Sequence, residues 1–212
     1  MATALGEGSL SRVERKERTR RAILDTALDL SADTSLVAVS LRQVAKEVGI
    51  VPTAFYRHFA SIEALGLELV DESFVSLRAV LRDVRRPDPS LKQLIDGSVD
   101  VLAEHVEARR AHFGFIARER VAGPPAVREA VRHQIELVER ELATDIARIP
   151  GTEAWASDDL RVLSRLMVTS MVATAEALIL AARPEMTQDI KDQARTQLRM
   201  VLVGALNWKS QG

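Results

Sequence analysis

From about Val13 apolar residues recur at helical spacing. Ile23, Leu24, Ala27, Leu28 and Leu30 form a stripe with charges opposite, which predicts an amphipathic helix fading around Ser31–Asp33. Ser35 to Val39 reads as a loop. Ser40-Leu41-Arg42-Gln43 has the form of a capping box, in which the serine caps a new helix and Gln43 reaches back. Leu41, Val44, Ala45 and Val48 are the apolar face of that second helix, and Gly49 suits the left-handed residue that ends it. Ile50 to Phe59 predicts a third, short helix entered through Pro52. Phe55 and Phe59, four apart, share its inner face, while Thr53, Tyr56 and Arg57 point elsewhere.

Ser61 caps a fourth helix, with Glu63 in its first turn. Leu65, Leu69, Val70, Phe74, Leu77, Leu81 and Val84 carry its stripe to about Arg85. At about 1.5 Å per residue, a helix over 61–86 is long enough to link two domains. Pro87-Asp88-Pro89 breaks the chain. Further helices are predicted from Leu91 to about Glu107, from Ala111 to Val121, and from beyond Gly123-Pro124-Pro125 to about Ile149. After Pro150-Gly151, Ser157 with Asp158 and Asp159 marks a helix start. That helix runs to about Ala182, is apolar on most sides after Leu166, and is expected to stop at Pro184. Thr187 opens the last helix, with Ile190, Ala194, Leu198, Val201, Ala205 and Trp208 on one face. There is no strand alternation and no repeat.

The expected organisation is all-α. Residues 1–12 form a flexible tail, residues 13–60 a three-helix helix-turn-helix DNA-binding domain, and residues 61–212 a larger helical dimerisation domain, to which a family resemblance adds ligand binding. Helix, turn at Gly49 and helix is the helix-turn-helix arrangement. The last two helices carry more apolar surface than their own domain covers easily, with small residues interspersed. We read them as a homodimer interface formed by Met167, Leu178, Leu198, Val201, Leu202, Ala205 and Trp208, two helices from each protomer making a four-helix bundle. An ordinary buried core is the other reading.

Charge refines this picture. The 212 residues have a formal net charge of −1, so the whole is no polycation. Residues 1–60 hold nine Lys/Arg against seven Asp/Glu, the remainder 20 against 23. Arg12 to Arg21 alone carries six basic residues and two acidic ones. A local basic patch fits a nucleic-acid surface, although a solvated helix face has the same composition. The absence of cysteine excludes disulfides, thiolate metal sites and a cysteine nucleophile. The first eleven residues lack an apolar signal region. The 17-residue apolar run Leu166–Ala182 contains Glu176 and reads as a buried helix rather than a membrane span. The expected location is cytoplasmic, at the nucleoid. An enzyme is not expected. The four histidines are scattered, His105 and His112 straddle a helix break, and no phosphate loop, nucleophile elbow or carboxylate pair stands out. No cofactor and no metal are expected. A DNA-bridging protein without a ligand is a further rival.

Leu41-Arg42-Gln43-Val44-Ala45-Lys46-Glu47-Val48-Gly49, Phe55-Tyr56-Arg57-His58-Phe59 and Glu63-Ala64-Leu65 together resemble the signature of TetR-type transcriptional regulators over about residues 18–75. Thr19-Arg20-Arg21, Leu30-Ser31-Ala32, Leu65-Gly66-Leu67, Val70-Asp71-Glu72-Ser73, Arg118-Glu119-Arg120 and Gln197-Leu198-Arg199-Met200, with Trp208, resemble a narrower group, the bacterial fatty-acid unsaturation repressors (FabR- and DesT-like). Two departures from the broad pattern are shared with that group. Ile62 stands where many members carry lysine, and Asp33-Thr34-Ser35 replaces a glycine.

The resemblance implies a double-stranded palindromic DNA operator as partner, read by a homodimer, and a long-chain acyl-coenzyme A as effector. Thr53, with Val51 and Pro52, would face the major groove. Arg57 would pair with guanine or hold a phosphate. Tyr56, His58 and Ser40 would anchor phosphates, Arg42 would do either, and Arg20 or Arg21 would approach the backbone. Taken alone, Tyr56 and His58 suit core packing and a helix-end hydrogen bond equally. Phe74, Leu77, Leu81, Phe113, Phe115, Ile116, Val121, Val127, Ile135 and Met171 are candidates for an apolar tunnel, each also a plain core residue. Arg118 and Arg120, with Arg109 and Arg110, are candidates for the coenzyme A mouth. A drug-like or aromatic hydrophobe is the alternative ligand.

Overall fold

The computed structural model describes residues 11–84, 91–148, 152 and 155–209. Nine α-helices and one 3-10 turn, with no strand, make up the fold among the described residues. Helix α1 spans Arg12–Leu30 and buries Ile23, Leu24, Ala27 and Leu28, the expected stripe. It starts on a feature the pattern did not reveal. Ser11 and Glu14 form a reciprocal capping box, the Ser11 amide donating to the Glu14 carboxylate at 2.7 Å. Ser11 and Arg12 therefore belong to the helix start and not to the expected tail; residues 1–10 of that tail lie outside the described residues. The 3-10 turn Leu36–Ala38 leads into α2, Leu41–Val48. The Ser40 hydroxyl caps α2 by accepting the Gln43 amide at 3.1 Å, the first half of the expected box. Gly49 closes α2 at φ 77°, the left-handed region in which a side chain is strained.

Helix α3 is a single turn, Pro52–Phe55, with Pro52 in the first turn where its missing N–H costs nothing. Helix α4, Ile62–Val84, starts on Ser61, whose hydroxyl accepts the Ala64 amide at 3.0 Å. Then follow α5 (Leu91–Ala108), α6 (Arg110–Ala122), α7 (Pro125–Ile146), α8 (Ser157–Leu180) and α9 (Pro184–Leu206). The expected end of α4 near Arg85, the Pro87-Asp88-Pro89 break, and the Ile149 end with Pro150-Gly151 lie outside the described residues. Two starts differ from expectation. Pro184 begins α9 instead of stopping α8, because proline fits the first turn of a helix and the connection needs only Ala181 to Arg183. Ala156, not Ser157, occupies the N-cap of α8.

One core runs through both predicted domains. Ile23, Leu24, Leu36, Val44, Phe55, Phe59, Leu65 and Leu69 pack in the same cluster as Phe74, Phe115, Val127 and Val131. Gly66 marks the tightest crossing. A Cβ there would lie 2.5 Å from Leu36 Cδ2 and 3.0 Å from Val127 Cγ2. Leu36 is buried and has little room to turn away. Overpacking therefore outweighs the better helix propensity, and Gly66→Ala is expected to cost about 1 kcal/mol net. A denaturation midpoint at or above that of the parent would show that Leu36 yields freely.

Helix α8 is the one described helix long and apolar enough to cross a membrane, with a mean hydropathy of 1.5 over its best window. It packs against α7, α9, α5 and α6.

Candidate nucleic-acid interface and ligand domain

The recognition segment is one helical turn prolonged by a hydrogen-bonded turn. The His58 amide donates to the Phe55 carbonyl at 2.8 Å, and the Phe59 amide donates to the same oxygen at 3.1 Å. It is shorter than the helix expected over Ile50–Phe59, since α3 has no side-chain cap and its helical pattern gives way after Phe55. Its faces divide as expected. Phe55 and Phe59 are buried with ring centroids 5.8 Å apart. Val51, Pro52, Thr53, Tyr56 and Arg57 are exposed, Tyr56 at 61% and Val51 at 64%. Ser40 and Arg42 are exposed at the start of α2. Unspent cationic and aromatic groups thus sit on the side away from the core, where a phosphate backbone and base edges can be met.

His58 is only half-exposed, and its Nδ1 is buried without a partner. Burial first, then the charges of Lys16, Arg20 and Arg57, pushes its pKa below the usual histidine value. The direction of the shift favours the neutral imidazole in the DNA-free chain.

Arg20 and Arg21 are both held by partners within the chain. One Arg20 nitrogen donates to the His58 carbonyl at 2.7 Å, another pairs with Glu68 on α4, and the guanidinium lies 4.3 Å from the centroid of the Phe59 ring. Arg20 thus clamps the end of the recognition turn to α1 and α4. Arg21 is held by Asp25, at 2.5 Å, and by Glu72, at 2.7 Å. Hydrogen bonds to charged groups of this kind contribute about 1.5–3 kcal/mol, so Arg20→Ala is expected to weaken operator binding about tenfold. The slope of log affinity on log salt should stay unchanged. A lost phosphate contact would flatten it by about 0.9 and return Arg20 to the DNA surface. Exposed Lys16 is near enough to depress His58, and Lys46 is exposed on α2. Neither was singled out from the sequence, although both lie in its basic N-terminal part.

The candidate tunnel residues divide between two clusters. Leu77, Phe113 and Met171 meet among Leu102, Val106, Ala175 and Leu178, between α4, α5, α6 and α8. Phe74, Ile116 and Ile135, with Phe115 and Val127, belong to the core shared with the DNA-binding segment. Val121 is 73% exposed and lines no interior. The side chain of Leu81 lies outside the described residues. The basic candidates are largely committed within the chain. Arg118 donates to the carbonyls of Ala32 and Gly114, Arg120 pairs with Glu176, and Arg110 donates to the carbonyls of Ile179 and Ala181. Arg109 borders a solvent-open groove of about 750 Å³ with Glu17, Arg21, Glu68, Asp71 and Glu72, whose floor includes Leu24 of the main core.

The expected dimer residues are redistributed. Leu178 and Leu198 are buried within the protomer, Leu178 against α5 and Leu198 in a cluster that Met167 and Leu202 also join. They are core residues, because the inner faces of α8 and α9 pack on α5. Val201 and Ala205 are half-buried, and Trp208 is exposed beyond the end of α9. The large apolar residues left open on α8 are Val162, Leu166 and Leu180, and on α9 Met186, Met200, Val203 and Leu206.

Residues 23–69 match the family model described as bacterial regulatory proteins, tetR family. The chain carries a TetR-type DNA-binding domain. The match begins at the buried stripe of α1 and ends on the first turns of α4, so it contains the whole recognition segment. The fold beyond it is also TetR-like. A transcriptional regulator from Rhodococcus sp. Rha1 superposes with a TM-score of 0.70 at 20% identity, covering 87% of this chain and 96% of that one. The TetR family regulator PfmR from Thermus thermophilus gives 0.63 at 19%, covering 96% and 100%. The fatty acid degradation regulator FadR from Bacillus halodurans gives 0.70 at 12%, covering 90% and 97%. At these identities the likeness is one of fold. TetR-type proteins are regulators rather than enzymes, and they bind operator DNA and small molecules, usually as dimers.

Proposed function

We propose that this TetR-type chain is a homodimeric repressor that binds a palindromic operator and controls lipid genes, those of fatty-acid desaturation or unsaturated fatty-acid synthesis, under the influence of a long-chain acyl-coenzyme A. The DNA part is carried by one observation. Thr53, Tyr56 and Arg57 stand exposed on a turn whose opposite face is locked into the core by Phe55 and Phe59. In the dimer the open apolar faces of α8 and α9 would meet, with Val201, Ala205 and Trp208 beside them and without the buried Leu178 and Leu198. The two recognition turns would then lie about 34–36 Å apart, one turn of B-DNA.

The lipid part rests on the resemblance to unsaturation repressors and on the apolar cluster of Leu77, Phe113 and Met171, which offers walls for an acyl chain. The neighbour from Bacillus halodurans is a fatty acid degradation regulator, which agrees in the broad class of metabolism controlled. The commitment of Arg110, Arg118 and Arg120 to internal partners favours the second reading, a hydrophobe without a coenzyme A head.

An operator shift assay with saturated and unsaturated acyl-coenzyme A, read beside native mass spectrometry of the purified protein, separates the two. The lipid reading predicts a co-purified or added acyl thioester that changes operator affinity. A thioester that leaves affinity unchanged, beside a drug-like hydrophobe that shifts it, establishes the second reading. Such a change qualifies as allostery only if the ligand binds the two states unequally.

A further inference from the structure

Among the described residues, the DNA-reading scheme leaves one buried carboxyl group without a role. Glu119 on α6 is 0% exposed, although it stands between two arginines in the sequence. Its carboxylate points out of the ligand domain into the loop before α2. Oε1 accepts the Leu36 amide at 2.9 Å, and Oε2 lies 3.2 Å from the Ser35 hydroxyl. The same hydroxyl lies 2.9 Å from the Ala122 carbonyl. Arg118 donates to the Ala32 carbonyl. Gly123 leaves the carboxylate room, since a Cβ there would lie 2.6 Å from Oε2. Ser35 and Leu36 open the 3-10 turn that delivers Ser40, the cap of α2.

We propose that Glu119 is a positioning residue for DNA reading, fixing the loop that enters the helix-turn-helix to helix α6. This rests on the DNA-reading function proposed above. Desolvating a carboxylate is costly, and a structural seam alone would be served by apolar contact. What the carboxylate adds is a directed hydrogen bond from the buried Leu36 amide and a share, with the Ala122 carbonyl, of the Ser35 hydroxyl, and these specify where the loop sits. Phe113, in the apolar cluster of the ligand domain, lies on the same helix six residues earlier, about 9 Å along the axis. A shift of α6 must therefore carry Ser35 and Leu36 with it or strip a buried amide of its acceptor. Through Ser40 the shift reaches α2 and the recognition turn that packs on it.

Wild type, Glu119→Ala and Glu119→Gln are compared in two arms. The first is amide hydrogen exchange of the DNA-free protein. The second is binding to a duplex that the wild type selects from a random pool. In Glu119→Ala the Leu36 amide and those of α2 should exchange roughly tenfold faster, and the selected duplex should bind roughly tenfold more weakly, as expected for a buried donor left unpaired. Helices α8 and α9 should exchange as in wild type. Glu119→Gln keeps a carbonyl oxygen for Leu36 and an amide that the Ser35 oxygen can accept, so it should restore both readings to within about threefold. Wild-type exchange at Leu36 and α2 in a folded Glu119→Ala, or equal acceleration in every helix, overturns the proposal. Should Glu119→Ala not fold, Ser35→Ala takes its place. Faster exchange confined to Leu36 and α2 then supports the proposal, and wild-type exchange there overturns it. A wild type that selects no duplex sinks the DNA-reading function, while the exchange arm still decides the role of Glu119.

Discussion

Phe55→Ala is expected to destabilise the protein by about 3–5 kcal/mol, the range for emptying an aromatic site in a packed core. Phe55 is fully buried, edge-on to Tyr56 and tilted against Phe59. Helix α3 is a four-residue turn without a side-chain cap, so tertiary packing, not propensity, keeps it helical. Loss of this ring takes away its main anchor. With total stabilities of about 5–15 kcal/mol for a domain, the variant should sit near its unfolding threshold and bind operator weakly even where it remains folded. Urea or guanidinium unfolding checks the number. A midpoint shift worth less than about 1 kcal/mol would mean that the recognition turn is held by something other than Phe55.

Arg57→Ala should do the reverse, leaving the fold intact and removing affinity. Arg57 is exposed on the turn, away from the core, so its loss should change stability by no more than about 0.5 kcal/mol. If it reads a guanine, operator affinity should fall by about 1–3 kcal/mol with relaxed preference at one base pair. If it holds a phosphate, the loss should be uniform across sequences, with a flatter salt slope. Tyr56→Phe removes only a hydroxyl and should cost about 1 kcal/mol of binding. Sedimentation must show the same oligomer throughout. Wild-type affinity in both variants would remove the Pro52–Phe59 segment from the DNA surface.

The helices of the DNA-binding segment were legible because each carries redundant signals. Helix α2 has an apolar face, a serine before it and a glycine after it, and all three serve as expected. The internal contacts of Arg20 follow from periodicity rather than from side-chain chemistry. Arg20 lies three and four residues before Ile23 and Leu24, on the stripe that faces the core, and that position sends its guanidinium to Glu68 and the His58 carbonyl. Two of the residues expected at the α8 and α9 interface lie in the protomer core for a different reason. A helix apolar on most sides does not reveal which side its own protomer covers, so Leu178 and Leu198 were assigned outward when α5 buries them. Glu119 was beyond reach, because its partners lie 83 and 84 residues away and no local pattern marks them. Pro184 shows a symmetric ambiguity, since proline both stops helices and starts them.

The continuous core from Ile23 to Val131 bears on how such a regulator can be re-engineered. A reading head cut at residue 60 and joined to a foreign sensor would leave behind Leu65, Leu69, Phe115 and Val127, against which its own Leu36 and Phe55 cluster. It would also lose the carboxylate that Leu36 hydrogen-bonds. On the DNA-reading function proposed above, operator specificity would be exchanged by replacing the outward residues of one turn in place. Transplanting the head as a cassette would succeed only if α4 and the matching stretches of α6 and α7 travel with it.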